Sequence, residues 1–205
     1  MRFYSPGTGK TVTVVEAIQQ LLDRDPQVTI LACAPSNSAA DLLAQKLINI
    51  PNNAQLLRLN AASREYKTLP KDLDKYSCIN GNRIFAVPSL EEMQRFRVIV
   101  STCISGGIPY GLGVKRGHFS HIFIDEAGQC AEPEVLIPIK TMADDWTNVI
   151  LAGDNKQLGP SIQSEVARAL GLSKSYLSRI MEREAYDLQT RTGITYVWDC
   201  PCDVY

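Results

Sequence analysis

Apolar positions recur at two different spacings along this chain of 205 residues, and the switches between them predict an alternation of helices and strands. After Lys10, the residues Val14, Ala17, Ile18, Leu21 and Leu22 fall on one face at helical spacing. Asp25-Pro26 closes that helix. Val28 to Ala34 is a short apolar run, the mark of a strand buried on both faces. Helical spacing returns from Asn37 to Ile48, with Leu42, Leu43, Leu47 and Ile48 as the apolar side. Ala54 to Leu59 reads as another short strand. From about Ala61 to Val87 the pattern is polar and mixed, with turn signals at Leu69-Pro70 and Asn80-Gly81-Asn82, and a connecting insertion is expected there. Ser89-Leu90-Glu91-Glu92 is a capping box that opens a short helix. Arg97 to Ser101, His121 to Asp125 and Val149 to Ala152 complete the set of strands.

Strands that alternate with helices argue for an α/β fold, a mainly parallel sheet covered by helices on both faces. Ligands of such sheets bind at the carboxyl ends of the strands. Composition adds limits. Apolar residues make up 45% of the chain and charged residues 21%, so a real core is affordable and gross disorder is not expected. The formal net charge of -1, with no Lys/Arg run, means that any nucleic-acid contact has to come from local positions. No apolar run approaches the length that crosses a bilayer, and the start lacks a signal-peptide stretch, so no membrane partner is expected. Cys33, Cys103 and Cys130 lie in apolar or strand-like surroundings, and Cys200 and Cys202 have no nearby partners to complete a zinc site. Free thiols in a reducing compartment, cytosol or nucleus, follow.

Three stretches carry chemistry. In Pro6-Gly7-Thr8-Gly9-Lys10-Thr11 the glycines permit a tight turn whose N–H groups form a nest for phosphate oxygens. Lys10 reaches the outer phosphates, the Thr11 hydroxyl suits magnesium, and the following helix aims its positive end at the same anion. The bland alternative is a Gly-rich turn before a helix. The pattern departs from its full form at Tyr4, where Gly is usual. Only Met1-Arg2-Phe3 remains to supply the strand that should enter the loop, so the sheet is expected to be incomplete at the N-terminus. His121 to Glu126 is an apolar strand ending in paired acids: Asp125 is assigned to the metal and Glu126 to the attacking water as general base. Val149 to Pro160 brings Gly153-Asp154 and then Gln157, whose amide can bond both the terminal phosphate and the water. Asn155-Lys156 superficially matches a guanine-specificity motif, but Leu158 stands where that motif needs Asp, which excludes a GTPase.

Together, Pro6 to Thr11, Asp125-Glu126-Ala127-Gly128-Gln129 and Gly153 to Pro160 resemble motifs I, II and III of superfamily 1 helicases, in the form of the Upf-like group. Ala34-Pro35-Ser36-Asn37-Ser38-Ala39-Ala40-Asp41 is similar to motif Ia. Ile99 to Ser105 and Gly117 to Gln129 look closest to the Mov-ten/Armitage branch of cytoplasmic RNA helicases, tied to RNA silencing and mRNA decay. The resemblance runs from about Pro6 to about Glu184. It implies a RecA-like P-loop NTPase sheet, with residues 1–190 as part of a first motor domain and 191–205 as a divergent tail. It implies ATP and Mg2+ as cofactors, 5′ to 3′ movement on single-stranded RNA, and ribonucleoprotein or silencing-complex partners in the cytoplasm. Ser36, Asn37 and Thr102 would touch the nucleic-acid backbone, which positions a strand without reading it. Ser36-Asn37 also reads as a helix N-cap, and the two roles are compatible. DNA as track stays open, since backbone contacts alone do not select RNA. Nothing in the chain matches the later motifs that supply an arginine to the terminal phosphate, so a fragment that only binds nucleotide or RNA is the competing expectation.

Overall fold

The computed structural model describes residues 9–49, 56–154 and 159–183. Five parallel strands form one sheet in the order β2-β3-β1-β4-β5. They are β1 (Ile30–Ala34), β2 (Leu56–Arg58), β3 (Val98–Thr102), β4 (His121–Ile124) and β5 (Asn148–Leu151). Each lies within about two residues of its place in the apolar pattern. β1 is central: Cys33 pairs with Ser101 of β3 on one side and with Ile124 of β4 on the other. All five of its residues are buried, as an unbroken apolar run requires.

Successive strand residues serve opposite faces, and each face has its own core. Ile30, Ala32, Val98, Val100 and Phe123 pack with Val14, Ile18, Leu43 and Leu47 from α1 (Lys10–Arg24) and α2 (Asn37–Leu47). Leu31, Ile99, Ile122 and Ile124 pack on the other face, with Met93 of α3 (Leu90–Met93) and with Val135 and Met142 of α5 (Glu132–Met142). α4 (Ile108–Leu112) leans on this second layer through Ile108 and Leu112. The α/β sheet with helices on both faces is thus the observed architecture. Among the described residues, no helix is long and apolar enough to cross a membrane.

Two local expectations change. Leu42, placed on the buried side of α2, is 49% exposed, while Asp41 is buried beside it. The cause is electrostatic: β2 delivers Arg58 under this helix, and Asp41 turns inward to meet it at 2.9 Å. The stretch at 61–87 is also more than a connection. Leu69, Leu73, Tyr76 and Phe85 are buried in the α1/α2 core, carried by two short 3-10 turns and an Ile79–Phe85 bridge. Its apolar residues lack regular spacing because no long helix or strand presents them. The capping box is present as expected, with the Glu92 amide donating to Ser89 Oγ and the Ser89 amide donating to Glu92 Oε2.

Candidate nucleotide and nucleic-acid site

The carboxyl edge of the sheet gathers most of the described candidates. α1 starts from Gly9, whose left-handed backbone (φ 78°) turns the chain sharply into the helix. Among the described residues no side chain caps this helix, and no acidic residue sits in its first turn, so its leading amides suit an anion. Lys10, the first helical residue, is only 8% exposed, and its charge acts on both Asp125 and Glu126. The Thr11 side chain draws the Asp125 carboxyl down, opposing its burial.

Asp125 follows β4 directly, and its amide donates to the Cys33 carbonyl at 2.8 Å, so the ends of β1 and β4 are tied together. It is 2% exposed, and its buried Oδ1 has no hydrogen-bond partner among the described residues. Burial pushes its carboxyl above the ordinary carboxylate range, against the opposing pull of Thr11, the Glu126 amide and Lys10. A buried carboxylate oxygen without a partner among the described residues, beside a threonine hydroxyl, is a hard-oxygen donor set of the kind that would hold Mg2+. Glu126 adopts a positive φ of 53°, which turns its side chain off the strand line. Its carboxyl is also raised, first by burial and then by the negative charges of Asp125 and Asp154, with Lys10 opposing.

Two further features hold these acids and were not assigned a role from sequence. Gln129 Nε2 donates to Glu126 Oε2 at 3.2 Å. Gly128 and Gly153 let the loops after β4 and β5 touch backbone to backbone. A Cβ on Gly128 would lie 2.2 Å from the Asp154 carbonyl oxygen, and one on Gly153 would lie 2.7 Å from the Gly128 nitrogen. The Ala127 amide donates to the Ala152 carbonyl at 2.8 Å and closes the clamp. The only sequence signal was a glycine in each motif.

The nucleic-acid candidates occupy the neighbouring strand ends. Ser36 Oγ accepts from the Ala39 amide and caps α2, as its sequence position implies. Asn37 is exposed, and its Oδ1 accepts from Arg58 Nη2 at 3.1 Å. Thr102 ends β3, where its hydroxyl accepts from the Ser105 amide and bonds Ser105 Oγ. The Cys103 amide donates to the Ala34 carbonyl at 2.9 Å, which sets Thr102 beside the start of the Ser36-Asn37 loop. Pro6, Gly7, Thr8 and Gln157 lie outside the described residues, as do Tyr4 and the tail.

A family model described as an AAA domain matches residues 5–80 and 82–165 of this chain. The chain is 46% identical over 186 residues to the RNA helicase Mov10l1 of Homo sapiens, covering 90% of this chain and 15% of that protein. It is 40% identical over 202 residues to the putative helicase MOV-10 of Gallus gallus, covering 93% and 21% respectively. It is 36% identical over 209 residues to the probable RNA helicase armi of Drosophila melanogaster, covering 91% and 17%. The chain therefore spans about a sixth to a fifth of these relatives' lengths.

Proposed function

We propose, from the fact that this chain belongs to the AAA domain family, that it is a motor segment which hydrolyses ATP to move a helicase along single-stranded RNA. The observation that carries this reading is the meeting of Lys10 and Thr11 with Asp125 and Glu126, which joins the start of α1 to the end of β4. A phosphate-binding helix start and a magnesium-type carboxylate at one spot are what nucleotide hydrolysis requires.

In this reading the α1 amides and Lys10 bind the phosphates and orient them. Asp125 and Thr11 would hold Mg2+, which when bound would supply neutralising charge to the phosphate oxygens. Glu126 accepts a proton from the attacking water, and its raised carboxyl makes it a stronger base than an exposed glutamate. Gln129 keeps that carboxylate oriented. Gln157 reports on the terminal phosphate. Ser36, Asn37 and Thr102 take the backbone of the RNA. The relatives named RNA helicases support RNA as track. Movement from 5′ to 3′, silencing or decay complexes as partners and a cytoplasmic location complete the proposal.

Steady-state ATP turnover by the intact protein, with and without single-stranded RNA, tests the reading. Turnover should rise with RNA and be abolished in Lys10→Ala and Glu126→Gln. Wild-type turnover in either variant would sink the site assignment. Equal stimulation by matched DNA would replace RNA as the sole track, and nucleotide binding without turnover would leave a binding module.

A further inference from the structure

With a net charge of -1 on the whole chain, attraction for a polyanion has to be concentrated locally. Buried guanidiniums gather beneath the start of α2. Arg58, at the end of β2, is completely enclosed at 0% exposure. Its Nε donates to Asp41 Oδ1 at 2.9 Å, its Nη1 to the Leu59 carbonyl at 2.7 Å, and its Nη2 to Asn37 Oδ1 at 3.1 Å. The Arg64 side chain, 3% exposed, grips both oxygens of the same Asp41 at 2.8 and 2.6 Å and adds a bond to Asn60 Oδ1 at 2.8 Å. Two guanidiniums share one carboxylate, so one positive charge is left over inside the cluster.

Stability alone is a poor reason for this arrangement, because burying ions costs several kcal/mol each and apolar residues of similar volume would serve as well. The chemistry of the outermost bond suggests another. A guanidinium has only donors, so Asn37 must turn its carbonyl oxygen inward to Arg58. Its two N–H donors are then left for a ligand at the exposed first residue of α2. Phosphate oxygens only accept. The amide is held in the one orientation that suits a nucleic-acid backbone.

We propose that Arg58, braced by Asp41 and Arg64, is a positioning residue for the track: it locks the Asn37 amide with its donors available to a ligand and leaves positive charge behind it. The inference rests on the reading of Asn37 as an RNA contact. It goes beyond that reading by assigning orientation and charge to residues that never touch the RNA.

The test is a double-mutant cycle in the intact protein, read by anisotropy of a fluorescein-labelled oligouridylate. Asn37→Ala should weaken binding about tenfold, the worth of one hydrogen bond to a charged group. Arg58→Lys keeps the charge but loses the fork that serves Asp41 and Asn37 together, and should weaken binding roughly fivefold. In the Asn37→Ala background the same lysine should add no further loss, since an effect carried by Asn37 cannot be lost twice. Unchanged affinity in Arg58→Lys, or losses that multiply in the double variant, would overturn the proposal. If Arg58→Lys does not fold, Asn37→Asp decides. Its carboxylate still accepts from Arg58 but offers no donor, so RNA binding should fall at least tenfold while thermal stability is kept or raised. Wild-type affinity in Asn37→Asp would refute it. Failure of the unsubstituted protein to bind the oligouridylate would instead sink the RNA reading, and this inference with it.

Discussion

Replacing Gly128 by alanine asks whether the clamp between the β4 and β5 loops sets the position of the acids. The added Cβ would sit 2.2 Å from the Asp154 carbonyl oxygen, 3.0 Å from its carbonyl carbon and 3.4 Å from its nitrogen. These are backbone atoms, so no side chain can swing aside. Reaching ordinary carbon–oxygen contact demands that one loop retreat by about 1 Å. That retreat must stretch the 2.8 Å bond from the Ala127 amide to the Ala152 carbonyl and carry Glu126, two residues away, with it. Forcing extra volume into such a contact costs about 1–3 kcal/mol of stability. A displacement of about 1 Å at a reacting group costs on the order of a hundredfold in turnover. The assay is RNA-stimulated ATP turnover of the intact protein, beside its chemical denaturation curve. Gly81→Ala is the control, because nothing lies within 4 Å of a Cβ there, and it should leave both measurements unchanged. Gly153→Ala breaks the same contact from the other side, so the two glycine substitutions together should cost less than the sum of each alone. Wild-type turnover and stability in Gly128→Ala would refute the clamp as the device that positions Glu126.

Asp125→Asn should abolish turnover and, without nucleotide, make the protein more stable than wild type near neutral pH. The Asp125 carboxyl is raised in the folded state, mainly by burial. Its contribution to stability is therefore fully present below the ordinary carboxylate range and is lost as pH rises through the raised folded value. The stability difference between variant and wild type should shrink as pH falls across that window, and a pH-independent difference in denaturation midpoints would count against the burial argument. Asp41→Ala should cost about 3–5 kcal/mol, measured by urea denaturation, because it strands two buried guanidiniums; a loss under about 1 kcal/mol would show the cluster to be well solvated. Leu42→Gln, at an exposed position, should stay within about 0.5 kcal/mol of wild type, whereas its fully buried neighbour Leu43 should cost about 2–5 kcal/mol as Leu43→Ala. Equal costs at the two positions would mean that α2 is turned differently.

Much of this molecule was determined by the sequence alone. The spacing of Val14, Ile18 and Leu22 makes α1 amphipathic whatever it packs on, and the unbroken apolar run ending at Ala34 has to be a strand buried on both faces. Ser89 and Glu92 cap α3 through bonds that span three residues. The places of Lys10 at the start of α1 and of Asp125-Glu126 just after β4 were equally legible, because they depend on residue types at short fixed spacings. Such features are local, and the chain carries them before it folds. Tertiary structure decided what depends on distant partners. The periodicity of α2 cannot say whether Asp41 or Leu42 turns inward. That choice belongs to Arg58, which arrives from β2 and repays the burial of a carboxylate with a hydrogen-bonded charge. The insertion at 61–87 looked like a connection because Leu69, Leu73, Tyr76 and Phe85 follow no period, and only the α1/α2 face of the sheet turns them into core. Nor could one glycine in each of two motifs announce that their backbones meet. Gly128 and Gly153 are separated by the whole of α5 and β5, and only the parallel pairing of β4 with β5 brings the loops after them close enough for a single methyl group to matter.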